Sequence, residues 1–251
     1  MSFKLGDFDT AEEAGLLATL KAWPAPVLTP EAVDALDGEF YARTRREPLV
    51  FEFDLILKAQ TPAGVLAIRD RLVAACAPHR GLQALTPEAG EGWLWWASAR
   101  FGGDFTRGLW VNGLECQLRS SVTFRVPDGL GWATPDDTAA GTTSANIDRR
   151  GNAPSFPRLT LEGDFEAVRV TAGGSSVDVA VPVTPGRRLV LDYQGQDFGV
   201  WDGAVKVAHA AGGMSHFDRL TLPVGPSTIT AAPLGGGTVS ALSVAANSRR
   251  L

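Results

Sequence analysis

Residues 114–126 read Leu-Glu-Cys-Gln-Leu-Arg-Ser-Ser-Val-Thr-Phe-Arg-Val. Leu114, Cys116, Leu118, Val122, Phe124 and Val126 fall on one side of a period-two alternation, and Glu115, Gln117, Arg119, Thr123 and Arg125 on the other. Successive side chains of a strand point to opposite faces, so this stretch predicts a long strand with one buried and one solvated face. Upstream, Phe51, Phe53, Leu55 and Leu57 alternate in the same way with Glu52, Asp54 and Lys58, inside a strand read from Glu39 to Lys58. One-sided alternation of this length is the mark of antiparallel sheet, and it makes the chain mainly β.

Between these two strands the period changes. Thr61-Pro62 is helix-start chemistry, because proline at the first helical position gives up an N–H that would be unpaired anyway. Val65, Ile68, Leu72 and Cys76 follow at the spacing of one helical face, which predicts a helix from Pro62 to Cys76. Short strands are expected around Leu82–Leu85 and Trp93–Phe101. Nearer the start, Thr10 and Glu13 have capping-box spacing, and the segment to Trp23, ahead of Pro24 and Pro26, reads as a further helix.

Downstream, residues 127–146 shift to Gly, Pro, Asp, Thr and Ala, with turn or linker signals at Pro135-Asp136-Asp137 and Gly141-Thr142-Thr143-Ser144. A domain boundary is placed there, dividing residues 1–134 from 135–251. Beyond it come Leu159–Leu161, Val168–Val170, Val177–Val181, Leu189–Leu191 and Val205–Val207, short apolar runs separated by turns. They predict an all-β second domain, an antiparallel sandwich or jelly roll. Gly235–Gly237 reads as a turn before one last strand, Thr238–Ala246, assignable to either domain. No internal repeat points to a solenoid or propeller.

The whole-chain numbers narrow the function classes. The 251 residues exceed one typical domain of roughly 150 residues. With 45% hydrophobic and 20% charged residues, the chain has the composition of an ordered globular protein. A net charge of -5 argues against a broad basic face for sequence-specific nucleic-acid binding. No run of about 18 apolar residues is present, and acidic residues stand where a secretory signal has its apolar segment, so no membrane insertion is expected. Cys76 and Cys116 lack CxxC spacing and read as small core residues made in a reducing cytoplasm.

Catalytic and metal signatures are absent from the sequence: no GxSxG, HExxH, P-loop or GxGxxG, so catalytic residues, cofactor and metal are each read as none. His79, His209 and His216 stand alone and read as structural or surface residues. Asp192, Asp197 and Asp202 around Tyr193 and Trp201 have two readings: a carboxylate pair or calcium loop beside a sugar-stacking aromatic, or turn aspartates with Trp201 packed over the sheet edge. The second is preferred. Trp93 and Trp95 share a strand face opposite Trp96, and most are expected in the core, with one available for a neighbouring subunit. Arg43, Arg45 and Arg46 read as a solvated run, with a salt-bridged interface or a pore lining as the alternatives.

Along nearly the whole chain, the order of these pieces resembles the distal tail protein family of siphophages, often called Dit. The first half supplies the Leu49–Lys58 strand, the Pro62–Cys76 helix, an aromatic hairpin region and the Leu114–Val126 strand. In the second half, Arg150-Gly-Asn-Ala-Pro154 and Phe156-Pro-Arg-Leu-Thr-Leu-Glu-Gly163 are similar to the family's Asn/Gly turn, proline and glycine-ended strand. Phe165–Thr171, Pro185-Gly-Arg-Arg-Leu-Val-Leu-Asp192, Phe217–Leu222 and Gly225–Thr230 continue the likeness. Gly151, Asn152, Pro154, Gly163, Gly186 and Asp192 are the motif positions. The helical reading of Asp7–Trp23 departs from the family, and the chain has no room for inserted carbohydrate-binding modules.

The resemblance implies an N-terminal β-sandwich-like ring domain with one or two helices and a galectin-like C-terminal sandwich. It implies a non-enzymatic part of the virion tail tip, made in the host cytoplasm. The ring, usually a hexamer, would join the tail tube protein to the tail-tip hub and offer a platform to receptor-binding proteins. Two readings from other classes stay open at this point: a carbohydrate-binding adhesin using Trp201, and a glycan hydrolase using Asp192, Asp197 or Asp202.

Overall fold

The computed structural model of this protein describes residues 2–35, 38–90, 92–101, 105–107, 116–215 and 220–250. The two alternating segments form its central pair: Cys116–Val126 lies antiparallel to Leu49–Ala59, in unbroken register from Cys116↔Ala59 to Val126↔Leu49. Leu49, Phe51, Phe53, Leu55 and Leu57 are all buried, as are Leu118, Val122, Phe124 and Val126. The described architecture is mainly β, arranged in antiparallel sheets with one α-helix. It divides into two compact units, residues 1–131 and 132–250.

In the first unit the strand path runs Phe8–Asp9, Phe3–Leu5, Gln83–Pro87, Trp93–Phe101, Cys116–Val126, Leu49–Ala59, Leu16–Leu20. The Trp93–Phe101 strand turns the corner. Its first half pairs with Gln83–Leu85 and its second half with Val122–Arg125. The sheet thus folds back until Phe3 meets Phe53 and Phe124, each at a centroid distance of 4.8 Å. The helix Pro62–Ala75 adds Val65, Ile68 and Leu72 to the same core. It begins where the sequence places it: Thr61 is extended, and its Oγ1 accepts from the Gly64 N–H at 3.1 Å, an N-cap bond.

Two expectations for this unit are corrected. Residues 10–23 are not helical; Leu16–Leu20 is a strand beside Leu49–Ala59, with Leu16 and Ala18 buried. Thr10 does not cap a helix. Its Oγ1 accepts from the Phe3 N–H and donates to the Phe3 carbonyl, both at 2.8 Å, and Glu13 is held by Arg71. The second correction is to the single strand from Glu39 to Lys58, which is two strands, Gly38–Arg46 and Leu49–Ala59, parted at Glu47-Pro48. Proline has no N–H for the ladder, and the chain changes partner there. Among the described residues Gly38–Arg46 pairs with Leu28–Ala35 alone, in a separate two-stranded sheet.

The second unit is a two-sheet sandwich. One sheet runs Asp137–Gly141, Thr238–Ala246, Pro157–Asp164, Arg187–Asp192, Asp197–Asp202, Val205–His209; the other runs Ser144–Ile147, Ser227–Leu234, Ala167–Ala172, Ser175–Val179. Leu159, Leu161, Leu189, Leu191, Leu242 and Val244 of the first face Val168, Val170, Val177, Val179 and Ile229 of the second in one core. The segment read as a linker is corrected too: it supplies the two paired edge strands Asp137–Gly141 and Ser144–Ile147. Small residues such as Thr138 and Ala140 give little alternation to read, and backbone pairing recruits them.

Candidate functional site

The carboxylates weighed as catalytic are occupied in turns and ion pairs. Asp192 and Asp197 are the last cross-strand pair of their hairpin, and Asp192 Oδ1 accepts from the N–H groups of Gln194 at 3.0 Å and Gly195 at 2.7 Å. Asp197 is bound to Lys206, and Asp202 lies 3.5 Å from Arg187. Trp201 sits half-buried beside Arg188 in the register, with the Lys206 ammonium 5.8 Å from its ring centroid. The lysine stem crosses Gly199 so closely that a Cβ there would fall 2.2 Å from Lys206 Cε. A cation and its stem therefore already lie over this aromatic.

The other single residues fall in separate places. His79 is exposed on the Pro78–Arg80 turn and His209 at the end of the Val205–His209 edge strand; His216 lies outside the described residues. Trp95 is buried against Phe51 at 5.2 Å, whereas Trp96, one position on, is 44% exposed. Arg46 donates to the Asp128 carbonyl at 3.3 Å, and the side chains of Arg43 and Arg45 lie outside the described ones. Cys76 and Cys116 are both buried free thiols, and burial pushes the Cys76 thiol up to about 12. Among the described residues no group of His, Cys, Asp and Glu is arranged to hold a metal ion, and no helix is long and apolar enough to cross a membrane.

Of the motif positions, Gly151, Asn152 and Pro154 lie in a turn beside a buried arginine that sequence reasoning passed over, while Gly163, Gly186 and Asp192 stand elsewhere in the sandwich. Arg149 is 5% exposed; it donates to Ser155 Oγ, to the Pro223 carbonyl, and to the Ala153 carbonyl at 3.4 Å. Burial holds its pKa below the ordinary arginine value. Next to it, Arg150 pairs with Asp137 at 2.6 Å, while the N–H groups of Asn152 and Ala153 donate to the Arg249 carbonyl at 3.0 and 3.2 Å. Arg249 in turn stacks on Trp132 and Phe156, at 4.5 and 4.6 Å. The turn of residues 150–154 is thus closed from two sides, by Arg149 and by the C-terminal tail. Gly163 stands at a bulge against the last long strand, where a Cβ would fall 2.1 Å from the Thr238 carbonyl oxygen. The only signal for Arg149 was its neighbourhood, since a single arginine in a loop carries no periodicity.

What remains is surface. An open groove of about 520 Å³ crosses the outer face of the six-stranded sheet, lined by Thr138, Ala140, Arg158, Thr160, Ser243 and Ala245. It offers small side chains and one cation, with no nucleophile–base pair. In the first unit, the sheet face away from the helix leaves Leu17, Val50 and Trp96 at 54%, 48% and 44% exposure. The Leu28–Arg46 hairpin has no third strand among the described residues.

These two units, an N-terminal folded-back sheet with one helix and a C-terminal antiparallel sandwich, define a class of mainly β, two-unit chain with no catalytic constellation in its described residues. No family model and no curated protein matches the sequence. Among solved structures, the chain resembles the SPP1 Dit protein, described as a paradigm of the hub adsorption apparatus in phages that infect Gram-positive bacteria. At 12% identity the two share a TM-score of 0.71, over 100% of this chain and 99% of that one. The chain has the Dit fold. Chains of the phage P2 baseplate in its activated conformation, with Ca and with Sr, are more distant, at 10% identity each and TM-scores of 0.46 and 0.45.

Proposed function

We propose that this chain is a structural, non-enzymatic distal tail protein of a long non-contractile phage tail. In this reading it forms a ring of six copies, the family's usual state, that joins the tail tube to the tail-tip hub and anchors receptor-binding proteins at the virion tail tip. Residues 1–134 carry the ring, and residues 135–251 form a galectin-like sandwich facing outward. The observation that carries the reading is the end-to-end likeness in fold to a hub protein, over 100% of this chain and 99% of that one. A small site grafted onto a common fold would not require both units in the same order.

The isolated hairpin supports the reading independently. Its strands hold 8 and 9 residues, so at about 3.3 Å per residue it is an arm of roughly 26 Å. A two-stranded hairpin is marginal in water unless something packs on it, and a neighbouring subunit is the natural cover in a ring. Ring closure needs two different complementary faces whose rotation divides the circle. The test is the native mass of the purified chain together with negative-stain class averages. A closed ring of about six copies with a central hole is expected; a chain that stays monomeric at every concentration, alone and with tail tube protein, overturns the proposal.

A further inference from the structure

The helix Pro62–Ala75 of the first unit has two apolar faces and covers one of them. Among its residues are three charged side chains, Arg69, Asp70 and Arg71, and no other polar one. Val65, Ile68, Leu72 and Ala75 are buried. Leu66, Asp70 and Val73, at positions i, i+4 and i+7, form a stripe on another side, where Leu66 is 42% and Val73 41% exposed. Ala63, Ala67 and Ala74 beside that stripe are exposed too. A helix that is apolar all round belongs in an interior, whereas a surface helix keeps its outer face polar. Arg71 is bound to Glu13, and Asp70, in the middle of the stripe, is paired among the described residues with its neighbour Arg69 alone.

The sheet face away from the helix has the complementary arrangement. Arg125 pairs in register with Val50 on one side and Ser98 on the other, and Thr123 pairs with Arg100. Residues two apart on a strand share a face, so Arg100 and Arg125 are diagonal neighbours, about 7–8 Å apart, with Val50 and Trp96 flanking them. Both arginines are exposed, as are Val50 and Trp96. Glu52 and Asp54, the carboxylates on that face, are both engaged by Lys21. Among the described residues neither Arg100 nor Arg125 has an ion-pair partner. The spans also match. Leu66 and Val73 are roughly 10 Å apart along the helix. Val50 and Trp96, two strand spacings and two residues apart, are separated by roughly 12 Å.

We infer that the Leu66, Asp70 and Val73 stripe of one copy seats on the Val50 and Trp96 face of the next, with Asp70 between Arg100 and Arg125. The occupant of each face is a second copy of this chain, because each face carries what the other lacks: an acid between apolar residues, and two unpaired cations between apolar residues. The Arg69–Asp70 pair joins exposed side chains, so exchanging it for a new partner costs little. Helix and exposed sheet face look away from the shared core in different directions, so one copy can use both at once. A contact between two different faces is head-to-tail, the kind that closes into a ring. Trp and Arg are also the side chains most enriched at the energetic centre of interfaces. Resting on the ring reading above, this assignment names the two surfaces that make the ring.

The test is sedimentation velocity on the full chain and on the variants L66K/V73K, D70R, R100E/R125E and D70R/R100E/R125E, each checked for native circular dichroism. L66K/V73K and R100E/R125E are each expected to raise the concentration for half-assembly about ten-fold or more, and D70R by less. The triple variant restores opposite charges and is expected to assemble better than R100E/R125E. If the wild type forms rings and both folded double variants form them equally well, this pairing is wrong and the ring reading stands. If R100E/R125E and D70R lose assembly and the folded triple variant recovers none of it, the two surfaces do not meet. A wild type that stays monomeric, alone and with tail tube protein, overturns both ideas.

Discussion

The two units solve the burial problem differently. In the second, two sheets cover each other's inner faces, and the core between them is built largely of Val, Leu and Ala, with Phe165 and Phe198 also buried in it. In the first, one sheet folds back on itself around the tilted and edge-to-face rings of Phe3, Phe51, Phe53, Phe124 and Trp95, the helix adds to that core, Leu17, Val50 and Trp96 stay exposed, and among the described residues the Leu28–Arg46 hairpin has no third strand. A sandwich that closes on itself asks nothing of a neighbour, whereas exposed apolar residues on a sheet face and a hairpin without a third strand do. In the proposed ring, this contrast favours assembly through the first unit.

The strongest way to break this comparison is through the cores. Phe53→Ala removes a fully buried ring that packs on Phe3 and Phe124, and is expected to cost about 3–5 kcal/mol in urea unfolding. Leu159→Ala, equally buried in the second unit, is expected to cost about 2–5 kcal/mol. If the comparison holds, only Phe53→Ala also weakens self-association, which sedimentation of the two variants side by side would reveal.

The next test concerns how the second unit holds its loop. Arg149→Ala leaves Ser155 and the carbonyls of Ala153 and Pro223 without their donor, and is expected to cost about 1–3 kcal/mol, read as a lower urea midpoint with faster amide exchange in residues 150–155. Should that loop stay fully protected, the C-terminal tail alone closes it. Thr61→Ala removes the helix N-cap of the first unit and is expected to cost about 1 kcal/mol in the same assay.

The smallest effect is electrostatic. The bond from Arg169 holds the Asp178 carboxyl below its ordinary value, on the outer face of the four-stranded sheet. A depressed folded-state pKa means that its stabilisation is present above the unfolded value, near 3.8, and is lost as pH falls through the folded value. Asp178→Asn should therefore flatten the acid limb of the stability curve slightly, and leave it unchanged in high salt, where an exposed pair is screened.

Legibility followed burial on one face. Leu49–Ala59 and Cys116–Val126 were readable because every second side chain enters the core, and Pro62–Ala75 because Thr61-Pro62 announces its start. The Thr10–Glu13 spacing misled because a cap and a strand-crossing bond use the same hydroxyl; Phe3 reached Thr10 before a helix needed it. Asp192, Asp197 and Asp202 were readable as turn residues, yet the lysine lying over Trp201 was not, since the bulge that brings Lys206 opposite it leaves no trace in composition.

Hydrophobic period and turn chemistry are local properties, so the strands, the helix and the mainly β class could be read from residues a few positions apart. Partners are not local. Which strand meets Leu16–Leu20, that Gly38–Arg46 leaves the main sheet, and that Arg100 stands beside Arg125 all depend on backbone hydrogen bonds between residues far apart in the chain. Strand pairing is satisfied through the backbone, which every residue carries alike, and so it is settled by the packing of the whole unit.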